Sequence, residues 1–69
     1  MTTYEVFSDN TPVHFAESLA RAQRWAEQNL PVAFTTIREY HRTPTQSADT
    51  APRPTGRQWT RTTAGWRER

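Results

Sequence analysis

Every Leu, Ile, Val and Phe in this chain, nine residues in all, lies between Val6 and Ile37; from Arg38 to Arg69 there are none. The first stretch carries the side chains of a core. The second has only Tyr40, Trp59 and Trp66 as large apolar groups. A chain of 69 residues buries only about 60% of its surface, and a piece of about 40 residues seldom folds unaided. The C-terminal stretch must therefore lend its tryptophans to the core or stay solvated.

Thr3 to Ser8 is β-branched and aromatic, with Tyr4 and Val6 on one side and Glu5 and Phe7 on the other. Asp9-Asn10-Thr11-Pro12 is a turn cluster. Val13-His14-Phe15 resumes the alternation and predicts the second strand of a hairpin, with Val13 and Phe15 inward and His14 toward solvent. Ser18 is a good N-cap, and Leu19, Ala22, Ala26 and Leu30 fall on one helical stripe, bordered by Trp25. Glu17 and Arg21 are spaced for an (i, i+4) pair. Pro31 ends this helix. Val32 to Arg42 reads as a third strand whose two parities both carry apolar groups, so its inward side is left open.

Thr43 to Arg57 holds three prolines, four threonines, one serine and one glycine. Such a stretch lacks the apolar area to offset its ordering entropy and predicts a long mobile loop. Gln58 to Thr63 recovers strand propensity before Ala64-Gly65 interrupt it. Ordering those six residues costs about 9 kcal/mol, and burying a tryptophan's roughly 200 Å² returns about 5 kcal/mol. With two tryptophans the balance favours docking as a fourth strand. The expectation is a single α+β domain of order β-β-α-β-β, one helix on a predominantly antiparallel sheet. It divides into a core at 3–42, a Pro/Thr-rich loop at 43–57 and a C-terminal strand and tail at 58–69.

The cations are nine arginines and no lysine, a usage that GC-rich bacterial or phage coding produces without any selection for guanidinium chemistry. Residues 1–37 carry a net charge of −2 and residues 38–69 a net of +4, against +2 for the whole. Arg57, Trp59 and Arg61 share one parity of the last strand, and Arg38, Tyr40 and Arg42 one parity of the strand before it. Were these faces aligned, the six would frame two aromatics with guanidinium groups, a surface suited to single-stranded nucleic acid. The competing expectation turns Trp59 and Tyr40 inward as core, with arginine stems covering their edges.

The absence of cysteine excludes disulfides and thiolate metal sites. His14 and His41 stand 27 residues apart, and Ser8, Ser18 and Ser47 lie in a strand end, a cap and the loop. Neither set has the setting of a metal ligand pair or a nucleophile. With only Gly56 and Gly65 there is no phosphate-cradling loop. No cofactor is expected and no enzyme. No apolar run approaches a membrane span and the first residues lack a signal-peptide pattern, which predicts a soluble cytoplasmic protein away from membranes. The expected activity is noncatalytic binding or regulation through protein–protein contact, with an unknown protein or a second copy as partner. The alternative is nucleic-acid binding through the Arg/aromatic face.

Overall fold

The computed structural model describes residues 2–41 and 53–69. Strands β1 (Thr2–Ser8) and β2 (Thr11–Ala16) are followed by helix α1 (Leu19–Asn29), then by β3 (Thr35–His41), β4 (Arg53–Thr62) and β5 (Gly65–Glu68). The strands form one sheet in the order β2-β1-β3-β4-β5, every neighbouring pair antiparallel. The α+β class and the single helix on an antiparallel sheet stand as the sequence predicts. No helix among the described residues is long and apolar enough to cross a membrane.

Asp9 and Asn10 close the first hairpin with φ of 51° and 66°. Two successive left-handed residues are what a two-residue turn needs to match strand twist. Ser8 pairs with Thr11 and Phe7 with Pro12, but Val6 pairs with His14, so Val13 is an extra residue. Proline cannot donate to the ladder, and such an insertion is a β-bulge. The slip reverses the expected faces. His14 lies beside Val6 under the helix, its ring stacked on Trp25 at 4.2 Å, while Val13 and Phe15 are exposed.

The helix begins where Ser18 Oγ accepts from the Arg21 amide at 3.2 Å and ends where the Leu30 amide donates to Ala26 O at 2.9 Å. Its Leu19, Ala22, Ala26 and Leu30 stripe packs on Tyr4, Val6, Ala16, Ile37 and Trp59, with Trp25 and Trp66 at the borders. The expected Glu17–Arg21 pair is not among the ion pairs of the described residues.

The third strand starts at Thr35, three residues later than the alternation suggests, because Phe34 adopts a left-handed conformation with φ 63°. Thr35, Ile37 and Glu39 are its buried parity. The last strand, by contrast, starts early: residues 53–57, read as loop, belong to β4. Pro54 is tolerated because the β3–β4 register shifts between Arg38 and Tyr40. Gly56, at φ 95°, supplies a conformation that side chains avoid. Residues 43–52 of the predicted loop lie outside the described residues. The tail after Gly65 is not a free end either, since β5 pairs back on β4 with Arg61 opposite Trp66.

Trp59 keeps only 5% of its surface exposed, in one cluster with Val6, Ala22, Ala26 and Ile37. The apolar front portion is thus completed by an indole from the part of the chain that has no Leu, Ile, Val or Phe.

Candidate functional site

Strand parity decides what each predicted site residue can touch. Trp59 stands opposite Ile37 and Val6 on the helix-covered face. Arg57 and Arg61 share its parity, so all three lie on that face, with Arg57 at its exposed edge. The Arg57 guanidinium lies over the Trp59 ring, 5.0 Å from its centroid, and makes ion pairs with Glu68 at 2.8 Å and Glu39 at 3.7 Å. The hydrogen bond to Glu68 raises Arg57 above its usual range and holds the Glu68 carboxyl below the ordinary carboxylate value. Arg61 donates from Nη1 to Ala26 O at 3.2 Å and to Leu30 O at 3.1 Å. Those carbonyls lie at the helix C-terminus, where the negative end of the helix dipole favours a cation.

Glu39 is buried and collects hydrogen bonds from Tyr4 Oη at 3.0 Å and Thr55 Oγ1 at 2.8 Å. The bulge in β4 is what brings Thr55 and Arg57 onto this one carboxylate. Burial, and then the bond to Glu39, raise the Tyr4 phenol above its ordinary range. This network is satisfied from within the fold.

Arg38 and Tyr40 have the opposite parity and lie on the face without a helix. Arg38 is exposed, with its guanidinium 4.7 Å from the Phe7 ring centroid; with this cover Phe7 is only 8% exposed. Tyr40 is half-buried, opposite Thr3 and Pro54. The six-residue frame is therefore divided: Arg38 and Tyr40 on one face, Arg57, Trp59 and Arg61 on the other. Arg42 lies outside the described residues.

The open face has its own composition. One cross-strand row runs Phe15, Glu5, Arg38, Gln58, and the next runs Phe7, Thr36, Thr60, Arg67. Phe15 is 64% exposed, and Phe34, at the head of β3, is 75% exposed. Phe34, Thr36, Thr60 and Arg69 line a depression of about 290 Å³ together with Asp9, whose amide bonds the Phe34 carbonyl, and Asn10. A second depression of about 440 Å³ adjoins it through Thr60 and Arg69 and adds Arg67.

Sequence reasoning missed Phe15, Phe34, Arg67 and Arg69 as surface groups. The only signal for the first was Pro12, whose missing N–H invites a bulge; for the arginines it was Gly65, which permits a return turn at φ 124°. Comparison with protein-family models, with curated proteins and with solved structures finds no match.

Proposed function

We propose that this chain is a noncatalytic binding module that acts by protein–protein contact through the sheet face opposite α1. The observation that carries this reading is the exposure of Phe15, Phe34 and Arg38 on a face that no described residue covers. Exposed large apolar groups within a polar rim mark interaction surfaces. Aromatic and arginine side chains are also the commonest anchors of protein interfaces.

The nucleic-acid reading draws less support from the geometry. Its strongest group was Arg57, Trp59 and Arg61, and these serve Glu39, Glu68, the core and the helix end.

A photo-crosslinking residue placed at Phe15, with a control at the exposed helix position Gln28, tests the proposal in the producing cell. A discrete protein adduct, hetero- or homotypic, is expected from Phe15 and not from Gln28. Equal adducts from both positions, or none from either, overturn it. A nuclease-sensitive adduct from Phe15 transfers the face to the nucleic-acid reading.

A further inference from the structure

We infer that the depression between Phe34 and Arg69 receives a carboxylate-bearing peptide segment of a partner protein, with Phe34 as the apolar contact beside the carboxylate. The inference rests on the open-face reading above and makes it specific.

Phe34 is the first observation. Its φ of 63° places a bulky side chain in the left-handed region, where glycine or asparagine is at ease and phenylalanine is strained. The Asp9 amide donates to its carbonyl at 2.9 Å and fixes the conformation. The ring itself is 75% exposed, so burial inside the fold does not compensate the strain. An aromatic held at this cost, pointing away from the core, is suited to a contact outside the fold.

Charge is the second. Arg67 and Arg69 line the adjoining depressions and neither belongs to an ion pair among the described residues, while Glu68 between them is held by Arg57 at 2.8 Å. Between them and Phe34 lie the Thr36 and Thr60 side chains, small hydroxyls that can hydrogen-bond an anion. Guanidinium forks match a carboxylate bidentately. A continuous polyanion fits less well, because Asp9 lines the same depression beside Phe34 and Glu5 stands in the neighbouring row. An isolated acidic side chain at the arginine end, with an apolar one on the Phe34 ring beside Asp9, meets both the arginines and the ring.

The test uses the full chain panned against displayed random peptides of about eight residues, followed by solution affinities of the selected peptides. Selected sequences are expected to place Asp or Glu next to an apolar residue. Phe34→Gly should weaken them at least about tenfold while melting no lower than the parent, a combination that a merely structural phenylalanine would not give. Phe34→Asn, which also tolerates the left-handed region, repeats the test should the glycine variant misfold. The double variant Arg67→Gln/Arg69→Gln should lose affinity by a similar factor.

A library that yields no binder, selected peptides without acidic residues, or affinities unchanged in these variants overturns the inference. Peptides that bind but move the amides of Glu5 and Phe15 instead of Thr36 and Thr60 overturn it too, while leaving the open-face reading intact. An oligothymidylate that shifts Thr36 and Thr60 at about 50 mM salt would overturn both.

Discussion

The two faces of this sheet are built from the same strands and differ in how completely their polar groups are used. Under α1, Glu39 is satisfied by Tyr4, Thr55 and Arg57, and Arg61 closes the helix end. On the opposite side, Arg38 rests on Phe7, while Phe15 and Phe34 stand in solvent. An arginine's role here follows from its parity. Arg57, Trp59 and Arg61 are consumed by the fold although their spacing is that of a binding strip. Arg38, paired with Gln58 on the neighbouring strand, and Arg67, six residues beyond Arg61, lie on the open face.

The severest way to break this contrast is to remove what closes the covered face. A chain truncated after residue 42 loses Trp59, Trp66 and Arg61 together, and no cooperative melt is expected by circular dichroism. A transition at the parent temperature would mean that the front portion stands alone. Trp59→Ala is the point version. Deleting a buried tryptophan costs about 3–5 kcal/mol, comparable with the whole stability of a domain this small, so the variant should be largely unfolded at 25 °C.

Arg61→Met sharpens the comparison at intermediate size. The substitution keeps the apolar stem and removes the donors to Ala26 and Leu30, with an expected loss of about 1–2 kcal/mol. In a 60–100-residue domain each kcal/mol lowers Tm by about 4–8 °C. An unchanged Tm would release Arg61 from its structural role and return it to the surface. Lysine at this position should recover only part of the loss, because it lacks the planar fork.

The Glu39 network makes a prediction in pH. Tyr4 has a raised phenol pKa in the fold, chiefly through burial. Its contribution is therefore full below the unfolded value of about 10 and lost as pH rises through the folded value. Glu68 is the opposite case: its pKa is depressed by Arg57, so its contribution is present above the unfolded carboxylate value and lost as acid protonates it. Tyr4→Phe should flatten the alkaline limb of a Tm–pH profile. If the alkaline limb keeps its slope, Tyr4 is not the group that titrates there.

What was legible in the sequence follows from which features are local. Ser18, the Leu19–Leu30 stripe and Pro31 define the helix without help from the rest of the chain, and Asp9-Asn10 mark a turn wherever they stand. The recruitment of Trp59 was legible too, because the front portion has too few aliphatics to close a core. The faces were not legible, since parity depends on single inserted residues. Val13 as a bulge inverts β2, and the slip beside Gly56 turns loop composition into strand. Nor was β5, whose Gly65–Glu68 span becomes a strand only by pairing with a neighbour. Those nonlocal facts decide the candidate site, so its residues changed while the fold class did not.

The smallest effect bears most directly on the two faces. Simple alternation puts Phe15 inward and His14 outward, and the bulge at Val13 puts them the other way round. An inward phenylalanine exchanged for threonine would lose several kcal/mol. At 64% exposure, Phe15→Thr should change stability by no more than about 0.5 kcal/mol, since surface substitutions seldom do more and threonine suits a strand. His14→Ala removes the ring stacked on Trp25 and should cost more, about 1 kcal/mol. The ranking is what matters, and chemical denaturation of the two variants reads it without any knowledge of a partner. If Phe15→Thr proves the costlier change, the faces are exchanged on β2 and Phe15 is core. If His14→Ala is costlier, the phenylalanine is a surface group that the fold does not need, as the open-face proposal requires.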